Sequence, residues 1–551
     1  MNMKEWILTL ITFLGVTSLS AQNYSYTFKV NGLAAGQDVY LANYFGDKLY
    51  YYDTTKSELG VAKFERSSIK GGVYAVVLPG PKTFEVILSE NEPKVVLQTD
   101  TINFVKSMKV LKSDENKLFY SYFSYLSEKQ ALAGPLRNKK DQASKDQLFA
   151  IDKEVKAHQK QLAQENGNNL FGAIIAMSLE PEIPELLKGD TSKQMERYHY
   201  YKNHYFDEYH LDDPRIVKTP IFAKKLKYFF EKVCIQHPDS ILDQAYKLID
   251  QLPKKTDLFK YVVHTLTYKY ETSKIMGMDA VFVGIALKYY CRGSNGQTQA
   301  FWLEDQYLEN IKKAQLALSV AQKELNKIKE SKNSEELEPL EKEVEEKQKK
   351  LSEVEKNNKI KEICERATTL NRLKLYGPAP DLILQDTSEK NWVDIRKLPN
   401  EYKILVFWDH GCGHCKKEIP KLKKLYDEIN VKKLDIEIIG VNTELENTPW
   451  KKYIRENNLN WINISDNPEV NSNAAKYIVN ERKTTLNSLN FRDIYDIFST
   501  PQIFLLDKEN NIVAKKIGVV NLVEILERKL SIDFNYEPPK AEKETDDHKD
   551  H

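Results

Sequence analysis

Two cysteines, Cys412 and Cys415, stand two residues apart in the segment "FWDHGCGHCKKEIP". The apolar run Ile404–Trp408 before them predicts a strand, and the residues after them have helical spacing up to about Ile429. The first turn of a helix offers unpaired backbone N–H groups and the positive end of the helix dipole, and both favour a thiolate. Such sites lower a thiol pKa from ~8.5 to about 3.5–7.5. We therefore predict that Cys412 is a redox nucleophile and that the less exposed Cys415 resolves its mixed disulfides.

Further residues around this pair strengthen the redox interpretation. Glu418 lies three residues after Cys415 on the same helical face, where a carboxyl group can relay a proton to the thiol. The alternative for Glu418 is an ordinary surface charge. Pro420 falls in the second helical turn, where it removes a backbone hydrogen bond and bends the helix. Thr500-Pro501 precedes a predicted strand, and a proline turn there would lie near the sulfurs.

These residues together form one pattern that spans distant parts of the sequence. Its members are Trp408, Cys412, Gly413, His414, Cys415, Glu418, Pro420, Thr500 and Pro501. The pattern resembles the exported thioredoxin-like disulfide oxidoreductases of the TlpA/ResA type over residues 377 to about 535. The resemblance implies a thioredoxin fold, a redox-active disulfide at the cysteine pair, an active-site acid at Glu418 and a cis peptide bond before Pro501. It also implies substrate contacts at Trp408 and at Thr500-Pro501, protein thiols or disulfides as substrates, a membrane electron donor or acceptor, and no cofactor.

The sequence departs from the family pattern at three places. Val406 stands where thioredoxin itself has a buried aspartate, and Gly411 replaces the usual tryptophan before the first cysteine. The residues between the cysteines are Gly-His, as in protein disulfide isomerase, and not the Gly-Pro of many reductases. A histidine at position 414 favours the thiolate of Cys412 and hence the reduced form, which makes the disulfide more oxidising. Whether substrates are reduced, oxidised or isomerised therefore stays open.

Two other classes of function compete with redox exchange. In the first, His410, Cys412, His414 and Cys415 hold copper or zinc. Zinc usually takes four well-separated ligands, and the sequence has no second pair of cysteines. A haem attachment site would need a histidine at position 416, where Lys416 stands. In the second class, the domain is a redox-inactive binding module, although both sulfurs are present. Metal binding is kept as the alternative function.

The N-terminus predicts export. Residues 1–21 combine a positive Lys4, the apolar stretch Trp6–Val16 and small residues that suit cleavage after Ala21. This is the pattern of a secretory signal peptide and is too short for a membrane span. No later segment is apolar enough to cross a membrane, so the sequence predicts a soluble exported protein. The resemblance implies the periplasm or cell envelope of a Gram-negative bacterium as its location.

Composition limits the remaining possibilities. The chain has 551 residues, which predicts three or four domains. Charged residues make up 29% of it, yet the net charge is +1, which gives no support to nucleic-acid binding. Five cysteines are too few for a disulfide-stapled scaffold. Cys234, Cys291 and Cys364 are isolated in helical-looking sequence, which predicts buried thiols, with a Cys234–Cys291 bridge as the alternative.

Periodicity divides the mature chain into four regions. Residues 22–112 contain short β-branched and aromatic runs with glycine and proline between them, which predicts a small antiparallel sandwich. Residues 113–375 have helical spacing and predict an all-α domain. Residues 377–535 alternate strands and helices, which predicts an α/β sheet with parallel members. The charged residues 536–551 predict a disordered tail. The first two regions resemble those of envelope proteins of Gram-negative anaerobes and carry no clustered chemistry.

One segment of the helical region, residues 305–365, has a distinct pattern. A narrow apolar stripe runs from Ile311 to Ile328, and a less regular one from Leu337 to Val354, in otherwise charged sequence. This predicts a coiled-coil hairpin with arms of about 26 residues each. Such a hairpin suits docking or self-association, and the alternative is a tolerated insertion.

Overall fold

The computed structural model describes residues 23–80, 82–293, 296–331 and 337–539. The predicted signal peptide and residues 540–551 of the predicted tail lie outside the described residues. Within the part of the chain that is described, no helix is long and apolar enough to span a membrane. The chain divides into two compact units, Met1–Ile235 with Asp250–Tyr261 and Gln236–Ile249 with Val262–His551.

The first unit begins with eight strands in two four-stranded sheets, ordered β4-β1-β7-β8 and β3-β2-β5-β6. The strands are β1 Tyr24–Asn31, β2 Asp38–Phe45, β3 Lys48–Lys56, β4 Val61–Arg66, β5 Gly72–Leu78, β6 Lys82–Leu88, β7 Lys94–Asp100 and β8 Lys109–Lys112. Phe28 of β1 and Phe84 of β6 pack edge to face across the two sheets with ring centroids 5.7 Å apart. The predicted sandwich-like, β-rich region is thus confirmed. Its purely antiparallel pairing is wrong, because β1 and β7 run parallel.

Helices follow from residue 114 onward. They are α1 Asp114–Ala133, α2 Gln142–Glu165, α3 Leu170–Ser178, α4 Gln194–Asn203, α5 Pro220–Tyr228, α6 Pro238–Gln251, α7 Asp257–Glu271, α8 Asp279–Ile285, α9 Phe301–Ser331, α10 Leu337–Lys356 and α11 Lys359–Arg372. Side chains cap the N-termini of several of these helices by hydrogen bonding. The hydroxyl of Ser113 accepts the N–H of Asn116 at the start of α1, and the carboxylate of Asp141 accepts the N–H of Ser144 at the start of α2. The predicted helical middle region is confirmed.

The helices α9 and α10 pack along each other as the predicted pair. Leu318, Ala321 and Leu325 of α9 and Leu351 of α10 are buried, as the apolar stripes predict. The predicted equal arms are wrong, because α9 has 31 residues and α10 has 20. The second arm stops early because Asn358 caps a new helix, α11, by accepting the N–H of Lys361. Residues 332–336, between these two helices in the chain, lie outside the described residues.

The structure corrects the prediction for the isolated cysteines. Cys291 and Cys364 form a disulfide with their Cα atoms 5.5 Å apart, so neither is a buried thiol and the Cys234–Cys291 alternative is wrong. Cys234 keeps its thiol, and burial raises its pKa to about 12. The pairing arises because α11 packs against α8 and the helical turn Ala286–Tyr290 that precedes Cys291. This long-range contact has no local signal in the sequence.

The C-terminal region is built on one seven-stranded sheet, ordered β10-β9-β13-β12-β11-β14-β15. Its elements are β9 Ile383–Asp386, β10 Trp392–Asp394, β11 Tyr402–Trp408, α12 Gly413–Val431, β12 Ile436–Asn442, α13 Thr448–Glu456, β13 Ile462–Ser465, α14 Pro468–Ser472, α15 Leu486–Leu489, α16 Phe491–Ile494, β14 Gln502–Asp507, β15 Ile512–Lys515 and α17 Val519–Leu530. The strands β11, β12 and β13 are parallel, whereas β14 pairs antiparallel with β11. The predicted α/β thioredoxin fold is confirmed.

In the central strand β11, the residues from Ile404 to Trp408 are all apolar. Ile404, Val406 and Trp408 contribute to the core that includes residues of α12 and α17, whereas Leu405 and Phe407 contribute to the core on the other side of the sheet. Alternate residues of a strand point to opposite faces, so a segment that is covered on both faces has apolar residues at successive positions. The valine at position 406 fits this environment. This rigid strand ends directly at the turn that leads to the cysteine pair.

Candidate active site

The cysteine pair lies where β11 ends and α12 begins. Cys412 is the N-cap residue of α12, and its sulfur accepts the backbone N–H of Cys415 with an N–S distance of 3.5 Å. Cys412 is half-buried, whereas the Cys415 side chain belongs to the core beneath the helix and its residue is 1% exposed. The first cysteine is therefore the one that a large substrate can reach.

The loop before β14 completes the site. The Thr500-Pro501 peptide bond is cis, and the carbonyl oxygen of Thr500 lies 3.2 Å from the sulfur of Cys412. The strand register explains this approach, because Phe407 near the end of β11 pairs with Gln502 at the start of β14. Two segments 88 residues apart in the chain are thus brought together by one antiparallel strand pair.

The two thiols differ in acidity. Partial burial raises the pKa of Cys412, but hydrogen bonding at Thr500 and from the backbone N–H groups of Cys415 and His414 outweighs this effect and holds its pKa below that of an ordinary thiol. Burial raises the pKa of Cys415 to about 12. At neutral pH, Cys412 therefore ionises more readily than Cys415, whose thiol stays protonated.

Glu418 and His414 border a cavity of about 410 Å³ beside the pair. The cavity is lined by His414, Glu418, Ser499, Thr500, Pro501, Gln502, Ile503, Lys516, Ile517 and Gly518. Glu418 is half-buried, forms an ion pair with Lys421 at 2.5 Å and accepts the backbone N–H of Val519 at 3.1 Å. His414 is exposed. The structure therefore brings both residues to the edge of the site, together with Thr500-Pro501.

Trp408 occupies a different position from the one that the resemblance implies. Its side chain is fully buried and packs against the rings of Trp450 and Tyr453, with centroids 5.9 and 5.5 Å away. A side chain with no exposed surface cannot contact a docked protein. Trp408 belongs to the same buried core as Cys415, so its contribution to the pair is through packing in this core.

Asp409 is a residue of the site that lies outside the pattern of residues identified in the sequence. Its Oδ1 accepts the backbone N–H groups of Gly411 at 2.7 Å and Cys412 at 2.9 Å, and its Oδ2 accepts the hydroxyl of Thr500 at 3.2 Å. One carboxylate oxygen and the two sulfurs of the pair lie within 4.8 Å of one another. An aspartate two residues before a glycine in a tight turn is a local signal for such backbone capping.

The four residues of the predicted metal alternative do not form one ligand cluster. Among the residues that the structure describes, the group of potential ligands that converges here consists of Asp409, Cys412 and Cys415. His410 and His414 are not members of it. The arrangement joins a carboxylate to the thiol pair.

Comparisons with known proteins give matches to two parts of the chain. Residues 376–515 match the AhpC/TSA family, and residues 141–324 match a domain of unknown function, DUF5106. The thiol-disulfide oxidoreductase ResA of Bacillus cereus is 23% identical over 147 residues, which are 27% of this chain and 72% of that protein. A domain of a possible thiol-disulfide isomerase from Cytophaga hutchinsonii has been solved. It is 31% identical, with a TM-score of 0.24, and the match covers 29% of this chain and 95% of that one. A thioredoxin-like protein from Bacteroides caccae is 15% identical, with 64% of this chain and 98% of that chain covered and a TM-score of 0.30.

The C-terminal region is a thioredoxin-like domain that matches the AhpC/TSA family, and its relatives include thiol-disulfide oxidoreductases of the ResA type. The resemblance to the ResA type that the cysteine pattern predicts is confirmed. The chain is accordingly a redox enzyme.

Proposed function

We propose that the chain exchanges disulfides with exported proteins through Cys412 and Cys415. The observation that carries this proposal is the asymmetry of the pair. One sulfur is accessible and has a lowered pKa, whereas the other is buried with a pKa raised to about 12. A nucleophile must be ionised and reachable, and a resolving thiol must be shielded from outside reagents, so the two roles fall to Cys412 and Cys415 in that order.

The exchange proceeds in two steps. The Cys412 thiolate attacks one sulfur of a substrate disulfide, forms a mixed disulfide and expels the other substrate sulfur as a thiolate. Cys415 then loses its proton and attacks the sulfur of Cys412, which expels the second substrate thiolate and leaves a Cys412–Cys415 disulfide. Two electrons have passed to the substrate, whose thiolates take protons from solvent. A dithiol donor at the membrane restores the reduced pair by the same steps in reverse.

Neighbouring residues have supporting roles in this scheme. Thr500-Pro501 forms the floor on which an extended substrate segment lies, because its carbonyl is next to the attacking sulfur. The backbone N–H of His414 stabilises the thiolate. Glu418 lies on α12, as Cys415 does, and lines the cavity that also borders His414 and Thr500-Pro501. It accepts the proton that Cys415 releases. Trp408 acts from beneath the pair by fixing the end of β11.

The Cys291–Cys364 disulfide supports export. Structural disulfides persist in oxidising compartments and are rare in the bacterial cytosol. This agrees with the signal peptide that residues 1–21 predict. We therefore place the exchange in the periplasm or cell envelope.

Insulin reduction with dithiothreitol tests the redox assignment. The wild-type chain is expected to accelerate it, Cys412→Ser to abolish the acceleration, and Cys415→Ala to accumulate a mixed disulfide through Cys412. The matched control is Cys234→Ala, which removes a buried thiol outside the pair and is expected to behave as the wild type. Full activity of Cys412→Ser would refute the proposed role of this residue.

For the helical hairpin we propose self-association through α9. Leu316 and Val320 lie one turn apart on this helix and are 65% and 48% exposed. By helical geometry they point away from Leu318, Ala321 and Leu325, which are buried. The helix therefore has a second apolar face that α10 does not cover, and a second copy of the same hairpin is the partner that such a coiled-coil seam suits.

Light scattering of the purified chain tests this association. Leu316→Glu with Val320→Glu is expected to lower the mass to that of one chain and to leave insulin reduction unchanged. The control, Gln315→Glu with Gln322→Glu, adds two charges at other exposed positions of the same helix. A wild-type mass equal to one chain, or the same mass change in the control, would show that the hairpin is a tolerated insertion.

A further inference from the structure

Asp409 lies at the centre of the redox site, although it takes no part in the exchange steps described above. Its carboxylate holds the turn between β11 and α12 by accepting two backbone N–H groups, from Gly411 and Cys412. The same carboxylate accepts the hydroxyl of Thr500 from the loop before β14. One side chain thus joins the turn that carries the nucleophile to the loop that carries the cis peptide.

The carboxylate also adds a negative charge at the pair. A carboxylate oxygen of Asp409 and both sulfurs lie within 4.8 Å of one another. At this separation a carboxylate opposes a second negative charge on sulfur, and the effect is stronger in a partly buried site than in bulk water. The charge therefore disfavours the thiolate that the hydrogen bonds at the helix start favour.

The other groups around this carboxylate can be named. They are the thiols of Cys412 and Cys415 and, from the loop before β14, the uncharged hydroxyl of Thr500. His410 is the next residue in the chain. Among the described residues, Asp409 forms no ion pair with a lysine or arginine. The contacts of its carboxylate in this part of the chain are hydrogen bonds from Gly411, Cys412 and Thr500.

From this juxtaposition we propose that Asp409 is a positioning residue whose fixed negative charge makes the Cys412–Cys415 couple more reducing. The inference rests on the proposed exchange through this pair and deepens it, because it bears on the direction of exchange. The reduced state contains the Cys412 thiolate, and a nearby anion raises its free energy, whereas the disulfide carries no charge and is little affected. The equilibrium with an external thiol couple therefore shifts toward the disulfide form of the enzyme, which means that the dithiol form gives up its electrons more readily.

The Asp409→Asn substitution removes the negative charge of the side chain and retains its hydrogen bonds to the turn and to Thr500. Asparagine has the same shape, and its Oδ1 can still accept the N–H groups of Gly411 and Cys412, while its amide can donate to Thr500. The expected result is at least a tenfold change in the equilibrium constant with glutathione in favour of the reduced pair, which corresponds to about 30 mV in the oxidising direction for a two-electron couple. The melting temperature is expected to stay near that of the wild type.

Two comparisons make this test decisive. Asp409→Ala removes both the charge and the capping, and it is expected to shift the equilibrium constant in the same direction and to slow insulin reduction as the turn loosens. Asp409→Glu keeps the charge and is expected to retain the wild-type equilibrium constant within threefold. An Asp409→Asn variant whose equilibrium constant equals that of the wild type, or shifts toward the disulfide, would overturn the proposal. If instead the wild-type pair does not equilibrate with glutathione, the proposed function itself fails, and this outcome is distinct from the first.

Discussion

Replacing His414 by proline tests the link between the start of α12 and the redox potential. His414 donates its backbone N–H to the sulfur of Cys412, and this is one of the hydrogen bonds that lower the pKa of the thiol. Proline has no N–H, but its fixed φ suits the first turn of a helix, so the fold is expected to tolerate it. The change therefore removes one hydrogen bond to the thiolate and also the exposed imidazole.

The direction and size of the effect follow from this loss. A thiolate that is less stabilised by hydrogen bonds raises the free energy of the reduced form. The disulfide then becomes relatively more stable, and the couple becomes more reducing. A hydrogen bond to a charged group contributes about 1.5–3 kcal/mol. Because about 30 mV corresponds to 1.4 kcal/mol for two electrons, the potential should fall by roughly 30–60 mV at a pH where Cys412 is ionised.

Equilibration with glutathione, followed by acid quenching and mass analysis of the alkylated thiols, measures this potential. His414→Ala is the matched control, because it removes the imidazole and retains the backbone N–H. We expect it to shift the potential less than His414→Pro does. A potential of His414→Pro that is unchanged or more oxidising than that of the wild type would refute the reasoning.

Three more predictions concern the cysteines and Glu418. Iodoacetamide should modify Cys412 first in the reduced protein. Because the pKa of Cys412 is lowered, its alkylation should continue at pH values at which an ordinary thiol is protonated and no longer reacts. Cys415, with a pKa of about 12, should react only under strongly alkaline conditions, and equal rates for the two thiols near neutral pH would contradict this. Glu418→Gln should slow the resolving step by roughly a hundredfold, the lower end for a lost proton acceptor, and should change its pH–rate profile; superimposable profiles would mean that Glu418 is an ordinary surface charge. Cys291→Ala with Cys364→Ala opens a loop with a sequence separation of 73, which should cost about 4 kcal/mol of stability by loop entropy and lower the melting temperature with insulin reduction retained. An unchanged melting temperature would show that this disulfide adds nothing to the folded state.

The sequence predicted those parts of the fold that have a local signal. The run from Ile404 to Trp408 is apolar at every position because both faces of β11 are covered, and its length and composition identify the strand. The thiol pair, the helix after it and Thr500-Pro501 carry a pattern specific enough to predict the thioredoxin fold. The strand β4 has a weak local signal, because its two buried residues, Ala62 and Phe64, alternate with charged and exposed ones in a very short segment.

Other features depend on contacts between distant residues and had no local signal. The parallel pairing of β1 with β7 requires the chain to return across a second sheet, whereas short turns between strands predict hairpins. The Cys291–Cys364 disulfide forms because α11 folds back after α10, and the early end of α10 depends on the cap at Asn358. Asp409 stands two residues before a glycine, as turn residues often do, but its contact with Thr500 forms only when β11 and β14 are paired.

A redox titration of the whole chain against glutathione tests the central claim most directly. Thiols trapped at each potential are mapped by mass spectrometry, so that every cysteine is followed separately. We predict that Cys412 and Cys415 change together between disulfide and dithiol in one two-electron transition, while Cys291–Cys364 stays oxidised and Cys234 stays a thiol throughout the range. If Cys412 and Cys415 do not form a disulfide with each other, or if they remain unchanged while other cysteines interconvert, the assignment of this pair as the redox centre is contradicted.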